Sequence, residues 1–230
     1  MRRKWGTIPL SDGRADSAVL LRLSDLELLE LWRRNRDMDG TLGARGWYRL
    51  LYADTVPGKR ILDVGCGFGF DSLTFAEVGA HVTIADIVPE NVRLVERVAG
   101  LLGVEVETHH IESVASLTAL RTDFDVVMAI GSLHNAPAEV MRPEYQELAG
   151  HLRVGGRWWQ LAYPYVRWVR EGSLPFDEWA PKVDGPGAPW EEWLDVDGLL
   201  DLLGPAQFAL VFYSEWHDSD FNWFDLVRVG

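Results

Sequence analysis

Apolar positions along the chain recur with two different periods, and the alternation between them predicts the order of its elements. An apolar stripe with helical spacing follows Ser24 and fades near Met38, and a second helical stretch covers about 44–54. From residue 59 onward, short apolar runs alternate with longer amphipathic stretches. Strands that alternate with helices in this way predict right-handed crossovers and a doubly wound parallel sheet.

The first predicted strand of the sheet, at 59–65, is apolar on both faces, as is typical of a strand in the middle of a parallel sheet. Further strands are expected at 80–86, 103–108, 124–130 and 156–163. Helices are expected between them at 70–79, 89–102, 112–120 and 138–152. After a short helix near 195–203, two final strands at about 207–214 and 221–229 predict a closing antiparallel hairpin at the sheet edge.

The pattern breaks between residues 164 and 195, where Pro, Trp and Gly are frequent and no clean period appears. A long stretch without regular structure inside a compact domain is usually a functional lid or binding loop. We therefore expect a single domain over residues 1–230. Its predicted parts are a helical N-terminal cap (1–55), a sheet core (56–163), an aromatic-rich lid (164–195) and a closing helix and hairpin (196–230).

Composition and charge narrow the classes of partner. With 47% hydrophobic and 25% charged residues, the 230-residue chain is typical of an ordinary globular domain. The formal charge of −13 opposes binding through phosphate neutralisation, so neither nucleic acid nor an anionic membrane is expected as a partner. No apolar run has the length of a signal peptide or a membrane span, which predicts a cytoplasmic protein.

A glycine-rich turn, ILDVGCGFGF at residues 61–70, follows the first predicted strand of the sheet. A dinucleotide-binding fingerprint would place its third glycine at position 70, which is Phe70, whereas the glycine here is Gly69. The Lys and Ser or Thr of a phosphate-binding loop are also absent from the turn. Asp63, two residues before the first glycine, would repel a pyrophosphate and attract a cationic amino group.

With its spacing of Asp63-x-Gly65-x-Gly67-x-Gly69, the turn resembles the first motif of the class I S-adenosylmethionine-dependent methyltransferases, which reads acidic-x-Gly-x-Gly-x-Gly. The resemblance covers about residues 58–163, including the order of strands and helices. It implies an α/β fold with a mostly parallel seven-stranded sheet and a reversed last strand. It also implies S-adenosyl-L-methionine as cofactor and S-adenosyl-L-homocysteine as product.

The resemblance also assigns cofactor contacts. The glycine turn would lie against the methionine part, and the Asp86 carboxylate would accept hydrogen bonds from the ribose hydroxyls, each worth about 1.5–3 kcal/mol; a simple strand-end cap is the alternative for Asp86. Ile111 stands where the family often has an acid near the adenine. The expected cofactor-binding residues are Asp63, Gly65, Cys66, Gly67, Gly69, Asp86, Ile87, Ile111, Glu112, Ser113, Ile130 and Gly131.

The candidate catalytic residue is His134, in the segment GSLHNAP after the fourth predicted strand of the sheet. Ligands of open parallel sheets bind outside the carboxyl ends of the strands. The segment differs from the Pro-Pro-aromatic motif of family members that methylate nucleobase or glutamine amines. An imidazole can accept a proton at neutral pH, so His134 is the candidate general base. It could instead only position the substrate or bond to the backbone, and an acceptor that is already deprotonated would need no base.

The aromatic-rich lid supplies most of the candidate substrate contacts, with further ones in the N-terminal cap. A dimer contact, and hence a homodimer, or a satellite aromatic core is the alternative role for this segment. His109 and His110 are neighbours on a strand and point to opposite faces, so no metal site is expected there. The residues expected to bind substrate are Trp47, Tyr48, Tyr163, Tyr165, Arg167, Trp168 and Trp190.

These features together predict methyl transfer from S-adenosylmethionine to an oxygen or nitrogen of a small molecule, such as a secondary metabolite in natural product biosynthesis. The alternatives are a protein methyltransferase and a non-catalytic S-adenosylmethionine-binding module whose aromatic segment holds a partner. A nicotinamide-dependent oxidoreductase is disfavoured by Phe70. The sequence does not specify the methyl acceptor.

Overall fold

A computed structural model describes residues 2–10, 13–39 and 45–230. The strands are β1 (Thr7–Leu10), β2 (Gly13–Asp16), β3 (Arg60–Val64), β4 (His81–Asp86), β5 (Val106–His110), β6 (Phe124–Ile130), β7 (Leu152–Ala162), β8 (Phe208–Trp216) and β9 (Phe221–Arg228). Seven of them form one sheet in the order β5-β4-β3-β6-β7-β9-β8. The pairs β3–β4, β4–β5 and β6–β7 are parallel, whereas β9 is antiparallel to both β7 and β8, which confirms the predicted α/β fold with a reversed strand near one edge.

Four of the described helices begin at the residue that the sequence signals predict, namely Asp25, Phe70, Pro89 and Ala138. In the first long helix, the Ser24 backbone N–H donates to the Glu27 carboxylate at 2.9 Å and the Glu27 N–H donates to the Ser24 hydroxyl at 3.4 Å, which forms a capping box. The α-helices are α1 (Arg2–Trp5), α2 (Ser17–Leu20), α3 (Asp25–Asp39), α4 (Trp47–Tyr52), α5 (Phe70–Glu77), α6 (Pro89–Leu102), α7 (Ala138–His151), α8 (Tyr165–Arg170), α9 (Phe176–Val183) and α10 (Val196–Leu203).

The structure corrects four expectations. The stretch 164–195 contains α8 and α9, because Pro164 and Pro175 each precede a short helix whose start suits the fixed φ of proline. The helix expected at 112–120 is a 3-10 helix, Val114–Ala119. The third and fifth strands of the sheet, β5 and β7, begin three residues later and four residues earlier than predicted, respectively. The N-terminal cap is not purely helical, because β1 and β2 form an antiparallel hairpin.

The chain divides into two compact units, Arg2–Ile111 and Glu112–Gly230. In the first, β3 is buried from Ile61 to Val64, which explains its continuous apolar run, and α6 buries an apolar face. In the second, the core is strongly aromatic, with the Trp158 ring stacked on Tyr145 at a centroid distance of 5.6 Å. Among the described residues, no helix combines the length and apolarity required to cross a membrane.

Candidate functional site

The glycine turn after β3 has a backbone that requires its glycines. Gly65, Gly67 and Gly69 have φ values of 77°, 54° and 70°, a region that disfavours residues with a side chain. A Cβ atom on Gly69 would lie 2.7 Å from Cγ1 of Val95 in α6. The third glycine therefore stands at position 69 both for its left-handed backbone and for the close approach of α6.

The Asp86 carboxylate at the end of β4 connects the glycine turn to α6. Its Oδ1 accepts the Val88 backbone N–H at 2.8 Å. Its Oδ2 accepts the Gly67 N–H at 3.2 Å and the Asn91 side-chain amide at 3.1 Å. The side chain is 4% exposed, and burial raises its pKa while these hydrogen bonds oppose the shift. Asp86 thus closes an Asx-type turn at Val88, and the same carboxylate holds the glycine turn.

Asp63, in β3, is a second buried carboxyl group beside the turn. Burial raises its pKa to about 8, and the carboxylates of Asp71 and Asp86 add to the shift. Burial also raises the pKa of the Cys66 thiol well above its usual range, with Asp86 and Asp63 contributing. The thiol is therefore protonated at neutral pH, and a bound cation would favour ionisation of Asp63.

The remaining predicted cofactor residues of this unit flank Asp86. The Ile111 backbone N–H donates to the Asp86 carbonyl at 2.9 Å, and the Ile111 side chain is buried. The Ile87 carbonyl lies 3.3 Å from Nε2 of His110. Gly65, Ile87 and Ile111 therefore gather at the carboxyl ends of β3, β4 and β5, as the resemblance implies.

Trp47 and Tyr48, the predicted substrate residues of the N-terminal cap, lie in α4. Their rings meet edge to face at 5.7 Å. Tyr48 is 1% exposed, and burial raises the pKa of its hydroxyl. The adjacent Arg49 is buried and paired with Asp71, with 2.6 Å between Nε and Oδ1. Tyr48 is thus a core residue of the first unit, and Trp47 is half-buried beside it.

In the second unit, the turn after β6 places His134 in a fully buried position. Gly131 and Leu133 have φ values of 67° and 59°, and the Gly131 N–H donates to the Leu161 carbonyl at 3.1 Å. The Tyr145 hydroxyl donates to the Leu133 carbonyl at 2.5 Å. A turn held from two sides in this way fixes the direction of the His134 side chain. Ile130 ends β6 immediately before the turn.

His134 is joined to a buried carboxyl group from the aromatic-rich segment. Its Nδ1 makes a short contact with Oε1 of Glu191, and both side chains are at most 1% exposed. The Asn135 amide donates to Oε2 of Glu191 at 2.7 Å and to Asp184 at 3.4 Å. Burial and the neighbouring Asp184 raise the pKa of Glu191 well above its usual range, against the effect of Asn135. We refer to His134, Asn135, Asp184 and Glu191 as the histidine–carboxyl cluster.

Backbone hydrogen bonds hold the aromatic-rich segment beside this turn. The Glu192 N–H donates to the His134 carbonyl at 2.9 Å, and the Leu194 N–H donates to the Tyr163 carbonyl at 2.9 Å. The Tyr163 hydroxyl donates to Asp184 at 3.1 Å, and its ring meets His134 edge to face at 5.1 Å. The segment is therefore part of the same packed unit as His134.

The other predicted substrate residues lie in or against this segment. The Arg167 guanidinium lies 4.5 Å from the ring centroid of Tyr163. Tyr165 contacts Trp168 and Trp193, at centroid distances of 5.7 and 4.8 Å, and Phe176 contacts both Trp168 and Trp190. The structure thus brings together five of the seven predicted substrate residues, namely Tyr163, Tyr165, Arg167, Trp168 and Trp190.

Glu112 and Ser113 are exposed at the start of the second unit. Ser113 and Ser116 form a capping box around the first turn of the 3-10 helix. Their cofactor role therefore stays a prediction. Among the described residues, no group of three or more His, Cys, Asp or Glu side chains is placed to hold a metal ion.

Comparison with known proteins supports the predicted family. Residues 61–156 match the family model described as a methyltransferase domain, a stretch that begins in β3 with the glycine turn and reaches into β7. This match, the curated relatives and the structural neighbours support a class I S-adenosylmethionine-dependent methyltransferase, with S-adenosylmethionine as its methyl donor.

Curated relatives resemble part of the chain. A ubiquinone biosynthesis O-methyltransferase of Xanthomonas oryzae pv. oryzae is 41% identical over 81 residues, which are 35% of this chain and 34% of the relative. A protein of the same name from Xylella fastidiosa is 39% identical over 85 residues, or 36% of this chain and 34% of the relative. The methyltransferase thus spans about a third of the length of these relatives.

Solved structures share the fold of the methyltransferase over most of its length. Magnesium protoporphyrin IX methyltransferase from Synechocystis PCC 6803, solved with bound S-adenosylhomocysteine, has a TM-score of 0.57 at 19% identity, covering 78% of each chain. An O-methyltransferase family protein from Burkholderia thailandensis has a TM-score of 0.60 at 15% identity, covering 90% of this chain and 58% of the other. At these identities the likeness shows the fold alone.

Sequence reasoning missed three polar residues of these sites. Asn91 lies five residues after Asp86 in α6, and Glu191 and Asp184 lie fifty or more residues after His134. No local period or motif connects these residues to their partners. The available signal was chemical: Glu191 is a carboxylate in a Trp- and Pro-rich stretch, where a buried charge would need a partner.

Proposed function

We propose that this methyltransferase transfers a methyl group from S-adenosylmethionine to a hydroxyl oxygen of a small-molecule acceptor. The observation that carries the proposal is the buried contact between His134 and Glu191. A hydroxyl nucleophile must lose a proton during the reaction, and an imidazole oriented by a carboxylate is a typical proton acceptor. The O-methyltransferase names of the curated relatives support oxygen as the acceptor atom.

The donor set of the first unit fits the cofactor. Asp63 and Asp86 are buried carboxyl groups whose pKa values are raised, so a cationic ligand would stabilise their ionised forms. Asp86 and the glycine turn would hold the ribose and the methionine part, with Ile87 and Ile111 as apolar neighbours. The cofactor, when bound, supplies an electrophilic methyl group on a sulfonium. Glu112, Ser113, Ile130 and Gly131 remain predicted contacts.

The proton step belongs to the histidine–carboxyl cluster. When Glu191 is ionised, its Oε1 accepts the Nδ1 proton of His134, which leaves the lone pair of Nε2 available. His134 would take the hydroxyl proton of the acceptor at Nε2 while the methyl group passes to the oxygen and the sulfur leaves as a neutral thioether, and the Glu191 carboxylate would stabilise the resulting imidazolium. Asn135 stabilises this carboxylate through its 2.7 Å hydrogen bond. The aromatic residues around Tyr163 and Trp168 would bind the acceptor and exclude water.

Cofactor binding is tested first, by calorimetry with S-adenosylhomocysteine and S-adenosylmethionine. We expect the parent chain to bind both and Asp86→Ala to bind them at least tenfold more weakly, because the variant loses charge-assisted hydrogen bonds. Binding of S-adenosylmethionine at pH 7 should also release a proton from Asp63, detected as a dependence of the heat on buffer ionisation. Equal affinities in parent and variant would contradict the proposal.

Methyl transfer is tested with labelled S-adenosylmethionine and a panel of small phenols and alcohols, with catechol as the first member. We expect His134→Ala to lower the rate by about 10²–10⁴-fold on any acceptor that the parent methylates. The exposed His81 lies outside the cluster, and His81→Ala is the matched control that should keep the parent rate. An unchanged rate in His134→Ala would remove it as the base, and methylation of amines alone would contradict the choice of oxygen.

One observation favours a second function, a module that binds a macromolecular partner. Helix α8 exposes the side chains of Tyr165, Val166 and Val169 to solvent, and exposed apolar patches often mark protein–protein interaction sites. In that case Val166→Glu with Val169→Glu would abolish binding of the partner and leave methylation of small molecules unchanged. A natural-product acceptor, a cytoplasmic location and a homodimer remain predictions of the sequence.

A further inference from the structure

A chain of buried hydrogen bonds links the N-terminal segment to the carboxylate expected to hold the cofactor ribose. We use the name N-terminal segment for residues 5–10 and 13–17. The Asn91 side chain is 2% exposed, and its amide donates both to Oδ2 of Asp86 at 3.1 Å and to the Trp5 carbonyl at 3.2 Å. Its Oδ1 accepts the Ser17 hydroxyl at 2.5 Å. The Asn91 amide is therefore hydrogen-bonded both to the Asp86 carboxylate and to the N-terminal segment.

The far end of this chain is anchored within the N-terminal segment. Ser17 is fully buried, and its backbone N–H donates to the Gly6 carbonyl at 2.9 Å. The near end continues from Asp86 to the Gly67 N–H. Buried polar groups that lose a partner are destabilised, so each member depends on its neighbours. Displacing the N-terminal segment would remove the acceptor of one Asn91 N–H and the donor to Asn91 Oδ1, and so weaken the hold of the amide on Asp86.

An apolar contact also connects the N-terminal segment to the glycine turn. Ile8, in β1, is 2% exposed, and its Cγ2 lies 3.9 Å from the position a Cβ would take on Gly67. The hairpin of β1 and β2 therefore lies against the glycine turn whose Gly67 N–H donates to the Asp86 carboxylate. Two independent contacts connect the N-terminal segment to one site.

We propose that Asn91 is a positioning residue through which docking of the N-terminal segment controls the affinity of the site for S-adenosylmethionine and S-adenosylhomocysteine. The inference rests on the proposed cofactor role of Asp86. Asn91 donates to Oδ2 of Asp86 beside the Gly67 N–H, and Ser17 and the Trp5 carbonyl hold the amide in the position that makes this bond. By reciprocity, a ligand that fixes Asp86 must stabilise the docked segment by the same factor.

The experiment compares S-adenosylhomocysteine affinity in the parent chain and in single variants by calorimetry. We expect Ser17→Ala to weaken binding about three- to tenfold, and Asn91→Ala about tenfold or more, because each removes a buried hydrogen bond of the chain. Ser17→Thr keeps the hydroxyl and should restore the parent affinity. Thr7→Val is the matched control: it removes a hydroxyl of the same segment that donates to the Lys4 carbonyl and accepts from Nε of Arg14.

Amide hydrogen exchange supplies a readout that a purely structural role would not change. Saturating S-adenosylhomocysteine should slow exchange across the N-terminal segment in the parent and fail to do so in Asn91→Ala. Parent-like affinity in Ser17→Ala, or equal protection in Asn91→Ala, would overturn the inference while leaving the proposed function intact. If the parent does not bind S-adenosylhomocysteine, both the proposed function and this inference are wrong.

Discussion

Replacing Gly69 with alanine tests the physical reason for the position of the third glycine. The substitution adds a Cβ atom where the backbone has φ +70° and where Cγ1 and Cγ2 of Val95 lie 2.7 and 3.0 Å away. Val95 is fully buried in α6. Neither the backbone nor the neighbouring side chain can therefore relieve the contact without a shift in the core.

Two costs add at this position. A left-handed conformation costs a residue with a side chain about 1–2 kcal/mol. Overpacking a well-packed core costs a further ~1–3 kcal/mol. We expect Gly69→Ala to lower the free energy of unfolding by about 2–5 kcal/mol, a large part of the roughly 5–15 kcal/mol typical of a domain.

Gly103 provides a matched control in the same unit. It has φ +73°, and a Cβ there would meet nothing within 4 Å. Gly103→Ala should therefore show only the conformational cost, about 1–2 kcal/mol. The difference between the two variants isolates the close approach of α6 to the glycine turn.

The assay is urea unfolding followed by tryptophan fluorescence and circular dichroism, with coincident transitions as the check of two-state behaviour. The double variant Gly69→Ala with Val95→Ala removes the two Val95 methyl groups that the new Cβ would contact. Its loss of unfolding free energy should therefore be smaller than the sum of the losses of the two single variants. Equal stability of Gly69→Ala and Gly103→Ala, or strictly additive losses in the double variant, would refute the reasoning.

Three further predictions concern charge and backbone strain. Because folded Asp63 keeps its proton up to about pH 8, whereas its ordinary pKa is 3.8, the parent loses stability as pH rises between these values. The free energy of unfolding of Asp63→Asn, measured by urea titration, should therefore rise relative to that of the parent by on the order of 1–3 kcal/mol by pH 8. A difference between the two proteins that stays constant from pH 5 to pH 8 would contradict this. Asp184→Asn should lower the pKa of Glu191, because the substitution removes the neighbouring charge that raises it, and an upward shift in an NMR titration of the Glu191 carboxyl carbon would be the opposite result. Ser219→Gly, at φ 59°, should raise the unfolding free energy by about 0.5–1 kcal/mol, and a lower melting temperature would argue against strain there.

Local signals in the sequence were sufficient for most of the sheet. The strand with Ile61 and the helix from Pro89 to Leu102 appear where periodicity and helix-start signals predict them. Such signals depend on neighbours a few residues apart, so they survive without tertiary information. The short helices α8 and α9 have too few turns to show a period, and the prediction there was wrong.

The candidate site also has a part that local sequence signals predict and a part that they do not. The glycine turn and Asp86 form a motif within 26 residues, from Ile61 to Asp86, and the sequence by itself predicted the family and the methyl donor. His134 was a candidate because of its place after β6, and its role stays a prediction.

Only the tertiary structure decided the partners of these residues. Glu191 joins His134 across more than fifty positions, and Asn91 joins Asp86 to an N-terminal segment more than seventy positions earlier. A buried polar side chain must find a hydrogen-bond partner, but folding, and not sequence distance, determines which one comes within reach. The methyl donor can therefore be predicted from a local motif, whereas the groups that surround His134 and Asp86 depend on contacts between distant parts of the chain.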